Sequence, residues 1–226
     1  ANYSAEDLSG KAACKEALQA SFGLPVDSSR LLIGIVCRLV EQKGLDLLAE
    51  ALPALLEEGI QLVVLGVGDP KYHEMLQRAH QRHPDKVSVR LDFSSEAAHR
   101  IEAGSDVFLM PSKFEPCGLN QLYSMRYGTV PIVRRTGGLA ETVVDYDENA
   151  ADAAEATGFA FEPYEPTALL MAVRRALDLW SRKEKWRALM LNGMKQDWSW
   201  GRVARQYASV YREAIRKAAG RRDEGN

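Results

Sequence analysis

Two cations, a carboxylate and two glycine turns fall at three places in this chain where an apolar run ends. Glu115 sits in Pro111-Ser-Lys-Phe-Glu-Pro-Cys-Gly-Leu-Asn-Gln121, between the run Val107 to Met110 and Gly118, which opens a helix. A second turn, Gly137-Gly138 in Arg135-Thr-Gly-Gly-Leu139, follows the run Val130 to Val133. The third element, Arg38-Leu-Val-Glu-Gln-Lys-Gly44, directly follows another apolar run and carries Arg38 and Lys43. Backbone N–H groups at glycine turns and helix starts suit phosphate anions. Arginine offers phosphate oxygens a planar fork and lysine a compact charge. Breaking a bond to a diphosphate moves negative charge onto the leaving oxygen, and fixed cations and N–H donors stabilise it without reorganising. Together these groups are equipment for holding a sugar diphosphate.

The elements that must position them alternate. Leu31 to Cys37 is a short continuous apolar run bounded by polar residues, as a strand buried on both faces would be. A helix follows over Gly44 to Glu57, with Leu45, Leu48, Leu52, Leu55 and Leu56 on one side and Pro53 expected to kink or loosen its middle. The order continues as strand Gln61 to Leu65, helix Lys71 to Arg82, strand Val87 to Leu91, helix Glu96 to Ala103 and strand Asp106 to Met110. Helix Gly118 to Tyr127, strand Thr129 to Val133 and strand Gly158 to Phe161 complete it. Strands alternating with helices predict βαβ units and a parallel sheet, and open sheets of that kind bind ligands beyond the carboxyl ends of their strands. Before the sheet, Gly10 to Ser21 reads as a helix with its lysines outward and Ala13, Ala17, Leu18 and Phe22 inward. After it, Asp145 to Thr157 reads as a solvated connection, and Pro166 to Trp180, Lys183 to Lys195 and Ser199 to about Ala219 as three helices, with Arg221 to Asn226 frayed. The expected organisation is one α/β domain over 1–226: an entry helix over 1–30, a Rossmann-like sheet core over 31–165 with helices on both faces, and carboxy-terminal helices over 166–226.

The three site elements, with Tyr3-Ser, Leu8-x-Gly10-Lys11 and Asp197-Trp-Ser-Trp200, resemble the starch and glycogen synthases from about Tyr3 to about Ile215. The resemblance implies the carboxy-terminal, donor-binding half of a GT-B architecture, ending in a helical tail. It implies Arg38 and Lys43 on the donor diphosphate and Glu115 on the donor glucose. It places Gly118, Leu119, Thr136, Gly137 and Gly138 along the phosphates and Phe93 near the nucleotide base. The donor would be ADP-glucose or UDP-glucose, with the former favoured by the bacterial and plant branch, and the acceptor an α-1,4-glucan. No metal and no cofactor beyond the donor are implied, and the setting would be a bacterial cytoplasm or a plastid stroma. Many related retaining transferases carry a second glutamate eight residues after the first; Tyr123 stands there, as is usual in the synthase branch. The family's amino-terminal motif K-x-G-G-L does not occur, so the partner half of the site is expected from an amino-terminal domain, without which this chain would not turn over. The alternatives are a non-catalytic nucleotide- or glucan-binding module of the same fold, or a relative with another sugar or acceptor.

Composition sets outer limits. The 226 residues fit one large α/β domain, and 46% apolar with 27% charged residues is ordinary for a globular chain. A net charge of −2 provides no basic field for nucleic acid. No apolar run reaches the ~18 residues of a membrane span, and Ala1-Asn-Tyr-Ser lacks the features of a signal peptide. Cys14, Cys37 and Cys117 have no metal-type spacing and suit a reducing compartment.

Several residues have a plainer reading beside the functional one. Glu115 would also favour a helix amino terminus electrostatically; it is not expected to be a nucleophile, since retaining hydrolases need two flanking carboxylates. Cys117 is expected to pack. Gly66-Val-Gly68-Asp69 could cradle phosphate or simply let a strand and helix approach. Phe93 could be core. His99 reads as a helix-surface or core residue, and His73, His80 and His83 have no metal-site pattern. Trp198 and Trp200 could stack on sugar or anchor the last helix, on which some exposed apolar surface is expected.

Overall fold

The computed structural model describes residues 1–150 and 153–223, with side chains as far as 217. It divides into two compact units, Ala1–Lys195 and Gln196–Asn226. The first is built on a six-stranded, wholly parallel sheet: β1 (Leu32–Val36), β2 (Gln61–Leu65), β3 (Val87–Arg90), β4 (Val107–Met110), β5 (Val130–Arg134) and β6 (Phe159–Phe161). The strand order is β3-β2-β1-β4-β5-β6. It reverses between β1 and β4, so the chain winds in opposite senses from that seam and opens a crevice beyond the carboxyl ends of those two strands.

The apolar runs are continuous because both sheet faces are covered, and successive residues of one strand serve different cores. Ile33, Ile35, Leu62, Val64, Val107 and Leu109 pack with α2 (Leu45–Glu57), α3 (Pro70–Arg82), α7 (Pro166–Ser181) and α8 (Lys183–Met194). Leu32, Val63, Leu65, Phe108 and Met110 face the opposite way, against α1 (Ser9–Ser21) and α4 (Ser95–Gly104). Two short helices, α5 (Asn120–Arg126) and α6 (Gly137–Thr142), follow β4 and β5. The expected helix on each face of a parallel sheet is present, and helix α2 runs on through Pro53 with Leu52 and Leu55 buried on either side.

Three local expectations are corrected. The lysines of α1 do not all face solvent: Lys15 is buried, 2.7 Å from Asp106, and donates to the Arg30 carbonyl at 2.6 Å. Ala13 and Ala17 are the exposed positions, because the helix turns Lys15, Leu18, Gln19 and Phe22 inward, and Gln19 donates to buried Gln61 at 2.6 Å. The stretch after Asp145 is not simply solvated. Asp145 pairs with Arg175 at 3.1 Å and accepts from the Ala160 backbone, while Ala156 and Thr157 are buried; 151–152 lie outside the described residues. Finally, Arg221 belongs to a helix that runs to Asp223, and 224–226 lie outside the described residues.

The second unit is mainly α9 (Trp200–Asp223). Along it Trp200, Tyr207, Val210, Tyr211 and Ile215 are exposed, with the two tyrosine rings 6.2 Å apart. Trp200 is 82% exposed, so Trp200→Ala should change unfolding free energy by no more than ~0.5 kcal/mol. A denaturant titration showing a much larger loss would mean that the indole is anchored.

Candidate functional site

The loop leaving β1 and the loop leaving β4 meet at the β1/β4 seam. Arg38, Lys43, Ser112, Glu115, Gly118, Leu119 and Asn120 line a cavity of about 310 Å³ there. Lys43 ends a 3₁₀ turn, Glu41–Lys43, and Gly44 follows with φ of 75°. That left-handed conformation favours glycine, and a β-carbon at Gly44 would collide with the Pro111 carbonyl. The glycine thus brings the two loops into contact and delivers Lys43 to Glu115. Lys43 Nζ lies 2.5 Å from Glu115 Oε2, with only 19% and 9% of the two side chains exposed. Ser112 Oγ is 3.4 Å from the same oxygen.

The two cations are not equivalent. Lys43 is half-buried and engaged by the carboxylate, with further N–H donors left for the cavity. Arg38 is exposed, and its side chain makes no hydrogen bond or ion pair with the described residues, so its fork is available to a ligand. Arg38 and Asn120 also line an adjoining cavity of about 350 Å³, between the 92–102 segment and α5. Phe93 is at its edge, 88% exposed, so it is not core, and Tyr123 and His99 share the lining.

The glycine pair takes a supporting position. Thr136, Gly137 and Gly138 line neither cavity but back the loop that carries Glu115. Gly138 N–H lies 3.1 Å from both the Glu115 and Pro116 carbonyls. A β-carbon at Gly137 would strike the Glu115 carbonyl, and one at Gly138 the Cys117 carbonyl. Gly66 and Gly68 have the packing role: β-carbons there would strike the Cys37 and Leu39 carbonyls, where the loops after β1 and β2 run side by side. His73 accepts from the Gly68 N–H at 2.9 Å in the same corner. Cys117 is exposed, and burial pushes the Cys37 thiol up to about 12, so Cys37 stays protonated.

Sequence reasoning passed over three residues. Asn120 donates to the Val36 carbonyl at 2.8 Å and ties α5 to the end of β1. Arg134 donates to the Ser112 carbonyl at 2.9 Å and holds the β4 loop from beneath. Glu102, buried on α4 3.2 Å from His99, lines the second cavity; burial raises its carboxyl above the usual range, with His99 opposing. Of these, only Asn120 carried a visible signal, since it immediately follows the Glu-Pro-Cys-Gly-Leu run.

Residues 18–189 match the family model for glycosyl transferases group 1. The chain belongs to that family. It is 56% identical over 212 residues to a glycogen synthase of Anaeromyxobacter dehalogenans, covering 94% of this chain and 44% of the relative. A glycogen synthase of Thioalkalivibrio sulfidiphilus is 50% identical, with 95% and 45% covered. Among solved structures, the catalytic domain of starch synthase IV from Arabidopsis thaliana bound to ADP and acarbose superposes with a TM-score of 0.87 at 38% identity, covering 95% of this chain and 45% of that one. The chain therefore spans less than half the length of these three proteins. Its sheet and helices are those of a GT-B glycosyltransferase of the synthase type.

Proposed function

We propose that this chain is the donor-binding half of a glucosyltransferase that moves glucose from ADP-glucose, or UDP-glucose, to the non-reducing end of an α-1,4-glucan with retention. One observation carries this reading: Arg38, Lys43 and Glu115 converge on one cavity at the strand-order reversal. The ADP bound to starch synthase IV supports an adenine nucleotide as the ligand here.

The residues divide the work by their chemistry. Arg38 supplies an unengaged fork to the diphosphate, and Lys43 a fixed charge between phosphate and Glu115. As the bond from the glucose anomeric carbon to the diphosphate breaks, both stabilise the charge that collects on the leaving oxygen. Glu115, held by Lys43, accepts hydrogen bonds from glucose hydroxyls and fixes the sugar. Gly118 and Leu119 line the phosphate end, and the Thr136-Gly137-Gly138 turn keeps the Glu115 loop in place. Phe93 and Tyr123, at the second cavity, offer exposed rings to the nucleotide base. Because the chain covers 44–45% of its relatives, acceptor binding and turnover are assigned to the two-domain protein.

The test is a melting curve with ADP. A ligand selective for the folded state must stabilise it, by about 2.7 kcal/mol at a hundredfold excess over Kd. The expected result is a concentration-dependent rise in Tm with ADP and no glucan elongation from ADP-glucose by the isolated chain. An unchanged Tm at millimolar ADP would refute the nucleotide site, and robust turnover would refute the half-enzyme assignment.

A further inference from the structure

The amino-terminal segment, which the donor site does not use, brings Lys11 and Tyr3 to the ends of two helices. Lys11 Nζ lies 2.9 Å from the Ala103 carbonyl, 3.2 Å from the Tyr127 carbonyl and 2.5 Å from Thr129 Oγ1. Tyr3 reaches the same two carbonyls, its hydroxyl 2.8 Å from each, and the Lys11 ammonium lies 5.6 Å from the centre of its ring. Ala103 is in the last turn of α4, and Tyr127 caps the end of α5. Carbonyls at helix ends have no intrahelical partner, and here two helices share their partners. The segment before α1 is folded tightly to make this possible, for a β-carbon at Gly10 would collide with the Asn2 carbonyl.

The same two helices frame the second cavity along their length, with His99 and Glu102 of α4 among its lining residues. Ser94, Ser95 and Ala98 line it from the start of α4, and Asn120 and Tyr123 from the start of α5. Thr129, after α5, belongs to the same tie: its backbone N–H donates to the Ser124 carbonyl of α5 at 2.8 Å, and its hydroxyl, which Lys11 holds, donates to the Glu102 carbonyl of α4 at 2.5 Å. We infer that Lys11 and Tyr3 are positioning residues, a clasp that sets the spacing of α4 and α5 and so the shape of the cavity between them. That cavity takes the nucleoside part of the donor, which rests on the proposed function above; the cavity at Lys43 has no lining residue from α4, and its lysine is held by Glu115.

The clasp is complete with Lys11 as an ammonium. Burial pushes Lys11 down to about 7, with Asp106 and Cys14 opposing and Lys15 reinforcing the fall. As an ammonium it has three donors for three acceptors, the two carbonyls and Thr129 Oγ1, whose own hydrogen goes to the Glu102 carbonyl.

The test compares wild type with Lys11→Met and Tyr3→Phe, and Lys11→Arg, which keeps donors, as the rescue. ADP, adenosine and pyrophosphate are titrated into each, and hydrogen exchange is followed at amides 98–104 and 120–127. Lys11→Met should weaken ADP and adenosine about fivefold, leave pyrophosphate within twofold, and speed exchange about tenfold in those two segments while α2 and α7 exchange as before. Tyr3→Phe should show the same pattern more weakly, and Lys11→Arg should recover part of it. A purely structural lysine would lower Tm without this split between adenosine and pyrophosphate. Unchanged exchange at both helix ends in folded Lys11→Met or Tyr3→Phe would overturn the clasp whatever the ligand. Wild-type protein that binds no ADP but shows the exchange pattern would instead overturn the nucleotide reading and retain the coupling of the helices.

Discussion

Lys43→Ala is expected to cost about 3 kcal/mol of stability, as removal of one partner from a buried ion pair does, and to lower Tm by roughly 6–12 °C in a domain of this size. The cause is Glu115. With 9% of its side chain exposed, it accepts from Lys43 at 2.5 Å, and its remaining side-chain contact is Ser112 at 3.4 Å. Without the lysine a carboxylate stays in a poorly solvated position with one weak donor. Arg38→Ala, in the same loop but exposed and unpaired, should cost no more than ~0.5 kcal/mol. The double variant Lys43→Ala with Glu115→Ala should regain much of the loss, because the stranded charge is gone. Urea unfolding of the four proteins measures all of this. A Lys43→Ala protein as stable as Arg38→Ala would show that the pair is solvated and contributes little.

The contrast between these two loop cations also shows what a sequence holds and what it omits. From the sequence, Arg38 and Lys43 are alike, two cations five positions apart after one strand. Their difference arises from Glu115, 72 positions beyond Lys43, and from Gly44, whose conformation lets the two loops touch. The runs Leu32–Val36, Gln61–Leu65 and Val107–Met110 were legible because strands buried on both faces need uninterrupted apolar residues, and their bounding glycines and polar residues end them sharply. Strand order was not legible, since pairing β1 with β4 is a contact between segments about seventy residues apart, and local pattern carries no record of it. The same holds for Lys15 and Lys11. Lysine on a helix reads as solvent-facing, and only Asp106 and the ends of two distant helices turn these two inward. Helix α6 has six residues, too few to show a helical period.

Arg38→Ala should weaken ADP binding by one to two decades while leaving adenosine binding unchanged. A hydrogen bond to a charged group contributes about 1.5–3 kcal/mol, and Arg38 has no protein partner among the described residues to compete for its donors. Its side chain lines both cavities, which places the fork where a base-side and a phosphate-side ligand would join. Arg38→Lys should recover only part of the affinity, since a single ammonium cannot reproduce two parallel N–H donors. In the two-domain protein the loss should fall mainly on kcat, by about two to three decades, because the charge on the diphosphate grows as the glucosyl bond breaks. Calorimetric titration of ADP and adenosine into each variant, with a melting curve as the control for folding, separates this from a general loss of structure. Equal ADP affinity in wild type and Arg38→Ala would take the guanidinium out of the phosphate site, leaving Lys43 as the sole cation there; since its strongest contact is already with Glu115, the cavity would then fit a neutral sugar better than a diphosphate.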